Sequence, residues 1–186
     1  MYRAVTWKAQ NAGVDLADEK VLRRVADEMR LEMPADGRVL VDGHDVTREI
    51  RSPAVTKETF YAARSRLVRE RLWEMQRRLG ADGCVAEGRD MGTVVFPQAE
   101  AKFYLDARLD VRAKRRRKQL AETQPPPPVE QLIEDLRERD NKDKTRNVAP
   151  LARADDAVYV DTSEMTFDDV VDFIERTARG AEPSGR

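Results

Sequence analysis

The chain has 186 residues, 40% of them hydrophobic and 37% charged, and its 34 Lys and Arg against 35 Asp and Glu give a formal net charge of −1. That length supports one compact domain with room for an inserted lobe, and the neutral balance disfavours a long nucleic acid as partner, which usually goes with a globally basic domain. No apolar run approaches the roughly 20 residues of a membrane span, the single cysteine excludes a disulfide within the chain and fits a reducing cytoplasm, and no Cys/His cluster suggests a zinc site.

The charge is segregated. Residues 64–78 carry six Arg against two Glu, residues 112–118 carry six bases and no acid, and residues 155–175 carry eight acids and no base. Local basic clusters in a neutral chain favour a small polyanion over an oligonucleotide.

The first nine residues already read as an amphipathic helix, with no capping residue and no strand before them. Residues 18–30 form a second helical pattern, with Val21, Leu22, Val25 and Met29 at helical spacing. Residues 34–37 are a turn, residues 38–42 a short strand, and Gly43, His44 and Asp45 a hairpin-like turn. His44, the only histidine, is expected to be a solvent-exposed turn residue. Residues 64–79 are a strong helix whose stripe is Val68, Leu72, Met75 and Leu79. Arg69 borders that stripe, where its stem can pack and its head reach a cleft.

Residues 83–86 form a short apolar run bounded by glycines, expected to be a buried strand with Cys84 in the core. It leads into EGRDMGTVVFP at residues 87–97. A guanidinium and two carboxylates beyond the end of a parallel strand stand where α/β sheets bind ligands. The guanidinium of Arg89 can hold a phosphate in bidentate fashion, and Glu87 and Asp90 can accept from a base or sugar or help hold hydrated Mg²⁺. Residues 102–106 read as the next strand. In the helix that follows, Arg112, Arg115 and Arg116 lie at i, i+3 and i+4, so they share one face. Their mutual repulsion is easier to accommodate if an anion compensates it.

Gln124 and the four prolines after it cannot continue a helix. Residues 129–140 are helical, with Val129, Leu132, Ile133 and Leu136 inward, and end in RERDNKDKTR at residues 137–146. If the helix persists, Arg139, Asp143 and Arg146 project from one side. Residues 157–162 read as a last buried strand, and residues 166–179 as a closing helix with Phe167, Val170, Val171 and Ile174 inward.

Residues 87–106, 137–151 and 42–51 together closely resemble bacterial cytidylate (CMP/dCMP) kinases, and the likeness runs from Met1 to about Ile174. The resemblance implies an α/β fold of the P-loop, nucleoside-monophosphate kinase type: a five-stranded parallel sheet, a monophosphate-binding lobe inserted at about residues 31–65, and a lid at about residues 108–146, with residues 181–186 a disordered tail. The kinase domain would occupy residues 1–180. On that map the chain keeps three strands, at residues 84–87, 102–106 and 157–161. No Gly-x-x-x-x-Gly-Lys-Ser/Thr occurs in the sequence, so the chain is expected to begin past the phosphate loop, N-terminally truncated, with the central strand and one edge strand outside it.

The activity implied is transfer of the γ-phosphoryl of ATP to CMP or dCMP, with Mg²⁺, in the cytoplasm, by a monomer without membrane or nucleic-acid partners. By resemblance Arg3, Arg89 and Arg146 bind the monophosphate, Arg69 and Asp90 help read the base beside Gly88, and Asp143 holds the ribose. Arg112, Arg115, Arg116 and Arg139 neutralise the transferring phosphoryl and the ATP phosphates. No metal-ligating residue is assigned. The family usually has a Ser beside the cytosine; here Phe60 stands at that position, with Thr59 adjacent, which leaves base recognition open. Three alternatives stay open: a kinase for another monophosphate such as UMP, a catalytically impaired CMP-binding remnant, and an RNA-binding chain using its arginine-rich helices.

Overall fold

The computed structural model describes residues 1–122 and 125–180. Contacts divide the chain into two compact units, Met1–Val85 and Ala86–Arg186. Gln124 and the expected tail at residues 181–186 lie outside the described residues.

The first unit is built on helices. α1 (Tyr2–Asn11) has no side-chain cap and buries Ala4, Val5, Thr6 and Ala9. α2 (Glu19–Asp27) starts at Asp18, whose carboxylate accepts from the backbone N–H groups of Lys20 and Val21, a cap worth about 1 kcal/mol. This helix stops short of Arg30 because the hairpin captures the chain there: Arg30 N–H donates to the Asp42 carboxylate at 2.9 Å and Asp42 N–H to the Arg30 carbonyl at 2.9 Å. β1 (Leu31–Glu32), β2 (Leu40–Val41) and β3 (His44–Asp45) form a small antiparallel sheet in that order. Asp42 and Gly43 make the two-residue loop between β2 and β3 with φ of 52° and 83°, the positive values that a tight primed hairpin turn requires. His44 therefore opens β3 instead of lying in the loop, and it is exposed, as expected.

A 3-10 turn (Glu49–Arg51) precedes α3 (Pro53–Arg64), which Ser52 caps by accepting from Val55 N–H, with Pro53 at the first helical position. Ser65 ends α3 and caps α4 (Arg66–Leu79). The helix expected from Arg64 thus begins two residues later, because Ser65 adopts an extended backbone (φ −69°, ψ 120°) between two helices. Leu22, Val41, Ala62, Val68 and Leu72 are fully buried in the core that these elements share, whereas Leu79, at the frayed end of the stripe, is half exposed.

The expected buried strand at residues 84–87 is not formed. Cys84 is exposed and Val85 fully so. Gly83 turns the chain at φ 95°, and no strand among the described residues pairs with this stretch, so its backbone has no ladder to join.

In the second unit, a π turn (Met91–Val95) leads to β4 (Phe103–Asp106), α5 (Leu109–Ala121), α6 (Val129–Thr145), β5 (Val158–Asp161) and α7 (Phe167–Ala178). β4 and β5 pair in parallel, with Phe103 opposite Val158 and Asp106 opposite Asp161. The architecture is α/β with a parallel sheet, of two strands among the described residues. The last strand is less buried than expected: Val160 is buried, but Val158, Tyr159 and the neighbouring Leu105 are 38–51% exposed. α7 carries a full capping box between Thr166 and Asp169, yet buries no residue. Phe167 is 81% and Val171 42% exposed, which corrects their inward assignment.

Candidate functional site

Two of the expected site residues lie in the first unit. Arg3, on the first turn of α1, donates through one Nη to the Ile50 carbonyl (3.0 Å) and to Thr56 Oγ1 (2.6 Å) on α3. Helical geometry puts Thr56 near the start of α3, so Arg3 braces the beginnings of two helices. Arg69 is only 2% exposed. Its guanidinium donates to the Ala63 carbonyl at 2.8 Å and lies 5.3 Å from the Tyr2 ring centre and 5.9 Å from that of Trp73. Burying that charge is tolerable because two π faces and a carbonyl replace water. Rather than reaching into open solvent, its head is folded into the core between α1 and α4.

The second unit gathers Gly88, Arg89, Asp90, Asp143 and Arg146. Asp90 is 3% exposed, and its carbonyl accepts from Val94 and Val95 N–H (2.9 and 3.1 Å). The i to i+5 bonds of this turn are of the kind frequent at functional sites. At Gly88 an added Cβ would stand 3.0 Å from the Met91 side chain, so the glycine leaves room for that residue. α6 persists through Thr145, with Arg146 at its C-cap; of the three residues expected on one side, Asp143 and Arg146 are brought together, while Arg139 is exposed. Arg89 Nε lies 3.0 Å from Asp143 Oδ2, and Arg146 Nη lies 3.7 Å from Asp143 Oδ1. Arg146 also donates through Nε to the Ala149 carbonyl, presented by a residue with φ of 48°. Asp143 and Arg146 are largely buried, while Arg89 is 40% exposed. One carboxylate between two guanidiniums gives a net positive cluster that fits a phosphate.

The four arginines expected at the phosphoryl group are not equivalent. Arg112 makes a bidentate pair with Asp140 of α6 (3.1 and 2.6 Å). Hydrogen bonding to Arg112 holds the Asp140 carboxyl below its usual range, and the same bond raises the Arg112 guanidinium. Arg115 donates to Thr162 Oγ1 (3.0 Å), the Thr162 carbonyl (2.6 Å) and the Met165 carbonyl (3.2 Å), anchoring α5 to the end of β5. Among the described residues Arg116 donates to Gln119 of its own helix, 2.7 Å away. Arg139 is exposed on α6. The shared face expected for Arg112, Arg115 and Arg116 therefore divides: two arginines have protein partners on other elements, and one is turned along its own helix.

Sequence reasoning did not assign Asp140, Thr162 or Thr56. Asp140 carried a signal, standing one helical turn before Asp143 in the same motif. Thr162 and Thr56 carried none, since their roles depend on elements distant in the chain. Shallow depressions of about 440 Å³ (lined by Asp172, Glu175, Arg176 and Arg179) and 290 Å³ (beside Lys114, Arg117 and Val129) contain none of the expected residues. Among the described residues no group of three or more His, Cys, Asp or Glu is placed to hold a metal ion, and no helix is long and apolar enough to cross a membrane.

A family model described as cytidylate kinase matches residues 1–179. The cytidylate kinase of Pelotomaculum thermopropionicum is 48% identical over 179 residues, covering 94% of this chain and 79% of that protein. The cytidylate kinase of Desulforamulus reducens is 45% identical, with 94% and 80% covered, and that of a Geobacter species (strain M21) is 40% identical, with 96% and 78% covered.

Proposed function

Because the chain belongs to the cytidylate kinase family, we propose that it transfers the γ-phosphoryl group of ATP to CMP or dCMP, yielding ADP with CDP or dCDP. The observation that carries the reading is the cluster of Arg89, Asp143 and Arg146, which combines two guanidiniums with the carboxylate that spaces them. Family membership does not favour the oligonucleotide-binding alternative or the non-catalytic one.

Phosphoryl transfer asks little covalent chemistry of a protein. It asks for in-line positioning and for positive charge around the moving group. In the second unit Arg89 and Arg146 bind the acceptor monophosphate, Asp143 accepts from the ribose, and Asp90, beside Gly88, helps read the base. In the first unit Arg3 serves the monophosphate, and Arg69 serves the base once its guanidinium leaves the Tyr2 and Trp73 rings that bury it here. Arg112, Arg115, Arg116 and Arg139 serve the transferring phosphoryl and the ATP phosphates, with Arg116 and Arg139 the least committed to other protein groups. Each charge-assisted contact contributes about 1.5–3 kcal/mol. Mg²⁺ enters as the counter-ion of the donor nucleotide, held mainly by its phosphates. The setting proposed is the cytoplasm and the state a monomer, and residues 31–65 and 108–146 act as acceptor lobe and lid.

ADP formation with Mg-ATP and CMP, measured against no-acceptor and UMP controls, tests the proposal. Turnover that depends on CMP or dCMP and exceeds that with UMP is the expected result. Absence of acceptor-dependent ADP from the folded chain overturns it.

A further inference from the structure

The six bases of residues 112–118 divide into two triplets of the same spacing. Arg112, Arg115 and Arg116 make up the first. Lys114, Arg117 and Lys118 make up the second, shifted by two residues, which is about 200° around a helix. The second triplet therefore lies on the opposite side of α5, and no expected role absorbs it. All three of its residues are exposed. Lys114 reaches Asp110 at 3.5 Å, with both groups in solvent. Arg117 and Lys118 make no hydrogen bond or ion pair among the described residues. Like charges at these spacings repel, so the face is built against its own charge.

The shape beside the triplet indicates what it takes. Lys114, Arg117 and Lys118 line a depression of about 290 Å³ together with Ala121, Pro126 and Val129. Ala121 continues the stripe to the end of α5, and Val129 is the first residue of α6. Pro126 stiffens the wall between them through its fixed φ. No acidic side chain is among the lining residues. The volume stands at the lower bound of small-molecule sites, so the depression suits a short anion and not a peptide helix or a polynucleotide strand. A single monoanion would leave most of the charge unmet. A chain of phosphoryl groups carries several charges and many acceptor oxygens, which match guanidinium and ammonium donors.

We propose that Lys114, Arg117 and Lys118 form a site for a linear oligophosphate, separate from the arginines assigned to the transferring phosphoryl. The planar fork of Arg117 takes two oxygens of one phosphoryl group, and the two ammoniums meet the charge of the next. Inorganic triphosphate and the tail of a nucleoside triphosphate share this chemistry. The lining holds no aromatic ring and no side-chain amide, so it reads the phosphate chain and not a base.

Calorimetric titration of the chain with inorganic triphosphate, CTP and inorganic phosphate tests the site, for wild type, Arg117→Gln/Lys118→Gln and Arg137→Gln/Lys142→Gln. The last variant removes the same charge from exposed positions of α6. Wild type is expected to bind triphosphate more tightly than phosphate, on the order of tenfold, and less tightly as salt is added. Arg117→Gln/Lys118→Gln is expected to weaken triphosphate by a similar factor, to leave CMP binding unchanged, and to keep or raise the melting temperature, since it relieves repulsion. A matching loss for CTP assigns the tail of a nucleotide, and a loss confined to inorganic triphosphate assigns the free anion; either supports the site. A triphosphate affinity within twofold of wild type in Arg117→Gln/Lys118→Gln overturns it. So does an equal loss in the α6 variant, or a wild type that does not bind triphosphate. Each of these leaves the kinase reading, which ADP formation tests, standing.

Discussion

Arg89 Nε stands 3.0 Å from Asp143 Oδ2, although 54 residues separate them in the chain. The other oxygen of the same carboxylate faces Arg146. The acid thus holds apart two cations that would otherwise repel, and it leaves both close enough to share one phosphate.

That arrangement predicts opposite behaviour for the members of the cluster. Arg89→Ala removes a phosphate ligand, so binding of CMP and of inorganic phosphate should both fall by tenfold or more. Asp143→Asn removes the ribose acceptor but also a competitor for the guanidiniums. CMP binding should weaken while inorganic phosphate binding stays level or tightens. Equilibrium dialysis with both ligands checks the pair, and parallel losses for both ligands in Asp143→Asn would contradict the assigned division of labour.

Asp143 and Arg146 were legible because helical spacing alone puts them on one side of α6, and the helix runs far enough to keep them there. The α5 arginines were legible as a charged face but not in their partners. Arg115 turns to the carbonyls of Thr162 and Met165, and nothing in local sequence marks a carbonyl as an acceptor. α3 escaped notice although Ser52 and Pro53 form an ordinary start signal, because its apolar positions are sparse and Phe60 faces outward. The strand expected at residues 84–87 shows the complementary limit. An apolar run states a preference for burial, but a strand exists only where a neighbour supplies its ladder.

The Arg112–Asp140 pair predicts a stability effect with a defined pH range. Both side chains are less than a third exposed, and the pair is bidentate, so a double-mutant cycle of Arg112→Ala and Asp140→Ala should give a coupling of about 1–2 kcal/mol by urea denaturation. The Asp140 pKa is lowered in the folded chain, mainly by its hydrogen bonds to Arg112. Its contribution is therefore complete above the unfolded carboxyl value of about 3.9 and disappears as pH falls through the lower folded value. The coupling should be constant from pH 6 to pH 8 and vanish in acid; a coupling unchanged at acid pH would remove the electrostatic account.

Arg115 and Arg116 are neighbours in sequence with different expected responses. Arg115→Ala removes the donor to the Met165 carbonyl and one of two donors to the Thr162 carbonyl, which keeps the Met165 N–H at 3.2 Å, and frees α5 from the end of β5. A loss of about 2 kcal/mol in unfolding free energy is expected. Among the described residues Arg116 makes its side-chain hydrogen bond within its own helix, to Gln119, so Arg116→Ala should keep the melting temperature within a degree or two and lower kcat by tenfold or more. Thermal melts beside steady-state kinetics separate them. Equal melting temperatures for both variants would show that the Arg115 contacts contribute nothing to the fold.

Lys102 ties the π turn to the second strand of the parallel pair. Its side chain is 7% exposed, and its ammonium donates to the Pro97 carbonyl and the Asp156 carboxylate, each at 2.6 Å. Its stem passes so close to Gly92 that a Cβ there would stand 3.3 Å from Lys102 Cδ. Lys102→Met keeps the stem and removes the charge, and should cost about 1 kcal/mol from the two lost bonds, since Pro97 is exposed and water can replace the lysine at its carbonyl. Asp156→Asn should cost less, because that carboxylate is 64% exposed and water replaces the lysine. The consequence reaches the site, since Arg89 and Asp90 enter the turn whose far end Lys102 holds. Lys102→Met should therefore raise KM for CMP several-fold while changing KM for ATP little. Equal shifts in both constants would indicate general loosening of the unit rather than a displaced acceptor loop.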